Sequence, residues 1–256
     1  MTAASSMPAV APTATVSRDH VLGGRVAVTQ PRQGYRIAID PVVLAAACAA
    51  RPTDRVLDLG SGVGAAALCL AFRVVGVIVD GLEFQAPLVA LAQDNALANG
   101  LADRLRFVVG DAAAPPPEWA GRFDRVITNP PYLKPGAHTP PPDPGRALAH
   151  GETAVDLSGW IRAAAFCLRP RGTVTIVHRA DRIDDLIAAL HPRFGAIGVL
   201  PLWPKPGVAA KRVVVSGRLG ARSPARLLPG LVLHQEDGSF TDAARGVLVD
   251  AGALSL

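Results

Sequence analysis

Two short stretches hold residues whose types and spacing suit chemistry. The first is Asp58-Leu59-Gly60-Ser61-Gly62-Val63-Gly64, which follows an apolar run and precedes an Ala-rich one. Glycines at alternate positions let the chain turn sharply and let a ligand lie close to the backbone. The dinucleotide fingerprint opens on glycine; this loop opens on an acid. A carboxylate in that place suits a cationic group such as the amino group of a methionine moiety. Glu83 stands 19 residues after Gly64, at the end of the next apolar run. A carboxylate there can accept hydrogen bonds from both hydroxyls of a ribose. Asp80 competes for that role, but Gly81 and Leu82 still extend the strand, which favours Glu83. Asp111, in Gly110-Asp111-Ala112, ends the third run, where a short acid can meet the amino group of an adenine. Acids at three successive strand ends describe an adenosyl ligand lying along the C-terminal edge of a parallel sheet.

The second stretch is Asn129-Pro130-Pro131-Tyr132, about 65 residues after the glycine loop and directly after the run FDRVIT. Two prolines remove two backbone N–H groups and stiffen the turn. The Asn129 side-chain oxygen and the Pro130 carbonyl can then accept from one planar amino group, and the Tyr132 ring can stack on whatever carries it. As a bare turn these four residues would do nothing. Placed after the glycine loop, at another strand end, they read as the grip on an acceptor nitrogen.

These residues need a frame that brings strand ends together. Strands are expected over 55–59, 74–79, 105–109, 125–128, 173–178, 196–202 and 212–216. Helices are expected over 41–50, 65–72, 86–99, 160–168 and 180–190, the first with Asp40 as N-cap and Pro41 at its first position. Residues 18–37 read as turns and short β pieces. Alternation of this kind gives a mostly parallel, seven-stranded α/β sheet covered by helices on both faces. The last two strands have no helix between them and should form a C-terminal antiparallel hairpin at one edge. The Pro/Gly-rich stretch 133–151 is a loop long enough to suggest function, closing over the acceptor once it is bound.

Half the residues are apolar, so a packed core is expected, and no apolar run is long enough to cross a membrane. Residues 1–17 are small and uncharged and read as a disordered tail of a cytoplasmic protein. Cys48, Cys69 and Cys167 stand alone in Ala/Leu-rich sequence, which suits core packing and suggests neither a metal nor a disulfide. The net charge is +5, and the 26 basic residues include only three lysines. Between Leu186 and Gln235 lie Arg193, Lys205, Lys211, Arg212, Arg218, Arg222 and Arg226, with no Asp or Glu. Such a surface attracts phosphates, although charges can also do no more than protect a strand edge.

The glycine loop, Gly81-Leu82-Glu83, Gly110-Asp111-Ala112 and Asn129-Pro130-Pro131-Tyr132 together resemble small-domain methyltransferases that modify exocyclic or amide nitrogens. The upstream VLGGRVAVTQPRQGYRIAIDPVVLAAA, the later RPRGTVTIVHRADRIDDLIAAL and the tail LLPGLVLHQEDGSFTDAA extend the likeness from Val21 almost to the end. They resemble the tRNA1(Val) adenine-37 N6-methyltransferase family. The resemblance implies a Rossmann-like class I fold as one domain over 18–256, with a core at 55–218 and extensions at 18–54 and 219–256. It implies S-adenosylmethionine as cofactor, held by Asp58, Gly60, Gly62, Gly64, Glu83 and Asp111 and bordered by Asn129. It also implies an unstacked tRNA adenine as acceptor, with Asn129 and Pro130 holding the amine and Tyr132 stacking the base. Pro131, Lys134, Lys205, Lys211 and Arg212 are the expected contacts to the RNA. Two other acceptors fit the same turn: a protein glutamine amide, which needs no basic surface, and the N2 nitrogen of an rRNA guanine. A cofactor-binding but inactive RNA-binding module is disfavoured by the intact turn, and a dehydrogenase by Asp58.

Overall fold

The computed structural model describes residues 15–33, 36–131 and 156–256. A hairpin of β1 (Val16–Val21) and β2 (Val26–Pro31) comes first, its first strand starting inside the stretch expected as tail. Helix α1 (Asp40–Ala47) follows. Then come β3 (Arg55–Leu59), α2 (Ala65–Arg73), β4 (Ile78–Glu83), α3 (Ala86–Ala98), β5 (Leu105–Val109) and β6 (Phe123–Thr128). After the undescribed stretch lie α4 (Leu157–Cys167), β7 (Leu168–Arg179), α5 (Ile183–Leu190), β8 (Phe194–Trp203) and β9 (Arg212–Leu219). The chain ends with β10 (Arg226–Leu227), β11 (Leu231–Val232) and α6 (Asp242–Leu248).

The main sheet runs β10-β8-β9-β7-β6-β3-β4-β5, with β11 also paired to β8. Every pairing is parallel except those of β9, which is antiparallel to both β7 and β8. The seven expected strands and the antiparallel pair are present. The pair does not form the sheet's edge, however. After β9 the chain turns back and lays β10 and β11 along β8, in pieces of two residues each. Pieces that short carry no alternation for a sequence to display.

Alternation sorts the strands' side chains between two cores. Val56 and Val79 pack beneath α1, α2 and α3, whereas Leu57, Leu59 and Leu82 pack beneath α4 and α5. Asp58 therefore faces the α2 side. Strand β4 starts four residues later than expected, because Gly76 turns at φ 87° with the Pro52 carbonyl against it. Helix α1 is capped by Ile39 without a side-chain bond, and Asp40 lies inside the first turn. Asp40 does not cap because Arg212 Nε donates to its Oδ2 at 3.2 Å. The three cysteines are buried free thiols. Burial raises them to about 11 for Cys48 and about 12 for Cys69 and Cys167, so they stay protonated. No helix among the described residues is long and apolar enough to cross a membrane.

Candidate active site

The sheet's order reverses at β3, which continues to β4 on one side and meets β6 on the other. The crevice beyond the carboxyl ends at such a switch point is where open α/β sheets bind ligands. Here Leu59 lies opposite both Leu82 and Thr128. The glycine loop, the Glu83 end of β4 and the Asn129 turn are therefore neighbours.

The glycines of the loop have different reasons to be there. All three have positive φ: 76° at Gly60, 53° at Gly62 and 81° at Gly64. A Cβ on Gly60 would stand 2.8 Å from the Trp160 ring, and one on Gly64 would stand 2.7 Å from the Phe107 ring. Those two permit packing. A Cβ on Gly62 would meet nothing within 4 Å, so this is the glycine that faces open space. The loop is fastened to the end of β4 by Gly60 and Ser61 N–H groups donating to the Leu82 carbonyl at 2.8 and 3.0 Å.

Asp58 is 2% exposed. The Ala67 amide donates to its carboxylate, yet its Oδ2 has no hydrogen-bond partner. Burial, reinforced by the charge of Glu83, pushes its carboxyl up to about 7. Ser61 Oγ, in the same loop, is likewise buried without a partner. Native structures rarely leave such atoms unsatisfied. Two of them in one ligand-facing loop fit an absent polar group: Asp58 an ammonium, and Ser61 a further hydrogen bond.

Glu83 is aimed by its own backbone surroundings. Gly62 N–H donates to its Oε2 at 3.0 Å and Gln85 N–H to its Oε1 at 2.9 Å. The Phe84 amide also acts on this carboxylate, and the lone pairs that remain are open to a ligand hydroxyl. Burial raises its carboxyl despite these bonds. Asp80 lies three residues back along the strand and bonds Arg55 Nη2 at 3.2 Å, away from the loop. Asp111 is exposed, and its Oδ1 accepts from Ala113 N–H at 2.8 Å, which closes a small turn after β5.

On the other side of β3, Thr128 Oγ1 donates to the Leu59 carbonyl and accepts from Trp160 Nε1, both at 2.7 Å. Trp160 thus ties the end of β6 to the glycine loop that its ring packs against. Sequence reasoning passed over both residues. The only signal was a threonine ending an apolar strand just before Asn129. Asn129 is half-buried, Pro130 buried and Pro131 half-buried at the mouth of this seam. Tyr132, Lys134 and the loop 133–151 lie outside the described residues.

A second residue that the sequence did not single out is Asn95 of α3, which is 1% exposed. Its side chain pairs with both the N–H and the carbonyl of Thr29 in β2, at 2.7 and 2.9 Å. It also donates to the Val63 carbonyl of the glycine loop at 3.1 Å. Asn99, one turn on, repeats the pairing with Ala27. The two amides act as a surrogate strand that clamps the hairpin beside the glycine loop.

The basic segment divides. Lys205 follows β8 and Lys211 precedes β9, and Arg212 faces Leu202 and Arg179 in register. These three share the sheet edge that carries the glycine loop. Arg212 is committed to Asp40, and Lys205 Nζ bonds the Glu236 carbonyl at 2.8 Å. Arg193 precedes β8, while Arg218 faces Gly195 and Thr173. With Arg222 and Arg226, these stand at the opposite edge. The expected single basic surface is two surfaces, because a hairpin carries its turn and its open ends to opposite edges of the sheet.

Residues 40–200 match the model of the methyltransferase small domain family. The chain is 32% identical over 167 residues to a tRNA1(Val) (adenine(37)-N6)-methyltransferase of an Enterobacter species, covering 65% of this chain and 67% of that one. It is 31% identical over 169 residues to the protein of the same name from Porphyromonas gingivalis, covering 63% and 66%; the match spans just under two thirds of that relative. A longer match, 27% over 229 residues, joins it to the Dickeya chrysanthemi protein of that name and covers 87% and 90%. Among solved structures it is similar to a predicted O-methyltransferase from Agrobacterium tumefaciens (TM-score 0.71, 23% identity, 85% and 99% covered). It is also similar to a tRNA (m1A58) methyltransferase from Aquifex aeolicus (TM-score 0.54, 18% identity, 75% and 73% covered). Both likenesses speak to the fold, that of Rossmann-like methyltransferases.

Proposed function

The chain belongs to the methyltransferase small domain family, and from that premise we propose that it methylates the N6 nitrogen of an adenine in tRNA, adenine 37 of a valine tRNA. The observation that carries this is the meeting of three strand ends. A buried Asp58 with an unpartnered oxygen and a carboxylate aimed by the glycine loop lie one strand from an Asn-Pro-Pro turn. The names of the relatives support tRNA as the substrate class.

S-adenosylmethionine, when bound, supplies a methyl group already activated by a sulfonium. Asp58 would receive its ammonium, Glu83 its ribose hydroxyls and Asp111 its adenine amino group. Gly62 would leave room for it against the backbone. The chain's own work is then on the acceptor. An adenine amino nitrogen shares its lone pair with the ring and is a poor nucleophile. Asn129 Oδ1 and the Pro130 carbonyl would accept its two hydrogens and direct the lone pair outward. As the nitrogen becomes cationic, those two dipoles stabilise the charge, so orientation and electrostatic preorganisation do the catalysis. Pro131 supports the turn, while Tyr132 would stack the unpaired base. Lys134, Lys205 and Lys211 would meet phosphates. Arg212, held by Asp40, would do so with its remaining donors.

The test is incubation with labelled cofactor and total tRNA from a strain lacking this gene, followed by nucleoside mass spectrometry. N6-methyladenosine in one tRNA is the expected product. Label in protein glutamine or in guanosine would overturn the acceptor assignment.

A further inference from the structure

Four of the seven basic residues between 186 and 235 lie at the sheet edge away from the candidate active site, and their arrangement is built rather than scattered. Gly220 N–H donates to the Arg193 carbonyl at 2.9 Å, Ala221 N–H to the Arg218 carbonyl at 3.2 Å and Ala196 N–H to the Ser223 carbonyl at 2.9 Å. These bonds fold the stretch 219–223 back over the start of β8. The crossing is so close that a Cβ on Gly195 would stand 2.3 Å from the Ala221 carbonyl oxygen and 3.0 Å from the Arg222 nitrogen. Strand β8 bulges beside it, with Ala196 in the left-handed region at φ 50°. Arg226 then follows, opposite Gly198. Arg171, at φ 65° within β7 where its pairing with β6 shifts register, joins the group, since Thr173, two residues on, faces Arg218.

All five of these arginines are exposed. Among the described residues none has an ion-pair partner, whereas the neighbouring Arg169 is paired with Asp124. Five uncompensated guanidiniums on one pinned edge suit a row of phosphates, which Arg binds through its planar fork. The separation also decides the partner. Arg212 faces Arg179 at one edge and Arg218 faces Thr173 at the other. Six strand residues at about 3.3 Å each put the edges about 20 Å apart. A double-stranded RNA stem is an A-form helix, whose phosphate backbone reaches past that distance within one turn.

We propose that Arg171, Arg193, Arg218, Arg222 and Arg226 form a second phosphate-binding surface, which grips a helical stem of the tRNA whose unpaired loop reaches the Asn129 turn. This rests on the reading above of tRNA as the substrate. Substrate choice then depends on the stem as well as on the base, because a loop without a stem of sufficient length engages one edge only.

The experiment compares wild type with the triple variant Arg218→Ala/Arg222→Ala/Arg226→Ala on two substrates: the full valine tRNA, and its anticodon loop closed by three base pairs. Binding is followed across a salt series and methyl transfer at saturating cofactor. For full tRNA the variant's KM should rise at least 10-fold with kcat unchanged. The slope of log affinity against log salt should flatten by about 0.9 for each lost contact. The short loop should show equal KM for both proteins, and a triple Lys variant should recover most of the affinity. Unchanged KM and salt slope on full tRNA would overturn the proposal and leave a solvated edge, as would an equal loss on the short loop. If wild type binds tRNA but transfers no methyl, the acceptor assignment fails while the salt series still tests this surface. If it binds no tRNA, both fail.

Discussion

Acids on adjacent strands meet opposite fates at the two ends of this sheet. At the N-terminal end Asp54 bonds Arg125 at 2.7 Å and Asp124 pairs with Arg169, and in mid-strand Asp80 reaches back to Arg55 at 3.2 Å. Each of these carboxylates is largely buried and has its charge answered within the protein. At the C-terminal end Asp58 and Glu83 are as deeply buried, yet among the described residues neither has an ion-pair partner: the one charge acting on Asp58 is the like charge of Glu83, and Asp58 Oδ2 has no hydrogen-bond partner. Neutralised acids hold strands in register. An acid left unanswered in the interior costs stability, and on the function proposed above the protein tolerates that cost because a ligand supplies the missing charge. The difference separates structural from ligand-facing carboxylates without reference to any relative.

The comparison can be broken most severely at the Asn129 turn, which completes the unanswered end. Asn129→Ala should slow single-turnover methyl transfer to tRNA by about 10²–10³, by analogy with removing one oxyanion-hole donor. Affinity for S-adenosylhomocysteine should hardly change. Asn129→Asp keeps an acceptor and should retain activity above that of the alanine variant. Wild-type rates from Asn129→Ala would make the turn structural and reduce the C-terminal end to a cofactor site.

A matched pair of substitutions on one strand sharpens the contrast next. Glu83→Ala should weaken S-adenosylhomocysteine binding, measured by calorimetry, by about 1.5–3 kcal/mol, the range for hydrogen bonds to a charged group. Asp80→Ala should leave that affinity alone and instead lower folding stability by about 1–2 kcal/mol in denaturant titration, since it removes Arg55's partner. Exchange of the two outcomes would reverse the assignment.

The smallest effect is a pH dependence at Asp58. Its carboxyl, raised by burial to about 7, holds its proton in the folded, unliganded protein well above the ordinary range near 3.8. A group with a raised folded pKa binds more protons folded than unfolded. Its contribution to stability is therefore full below about 4 and is lost as pH rises through 7. Binding of an ammonium requires the ionised form, so affinity for S-adenosylhomocysteine should rise with pH up to about 7 and then level off. Asp58→Asn should flatten that rise. A rise that persists in Asp58→Asn would assign the titration to another group.

Much of this was legible in the chain itself, because the signals are local. Alternate glycines require positive φ within a few residues, paired prolines stiffen the turn they occupy, and runs such as RVLDL and FDRVIT are read from their neighbours alone. These determined the α/β class, the glycine loop and the Asn129 turn. What stayed hidden depends on strand order and register, which join residues far apart in sequence. Asp80 and Glu83 sit three positions apart on one strand, and only the sheet shows that one reaches Arg55 and the other the Gly62 amide. Trp160 is an ordinary apolar helix residue until its ring and N–H close the seam between Gly60 and Thr128. Asp40 reads as a helix cap until a strand 172 residues away brings Arg212 to it. The basic segment reads as one surface, and the tertiary structure makes it two, because β9 reverses direction between β7 and β8 and carries charges close in sequence about 20 Å apart.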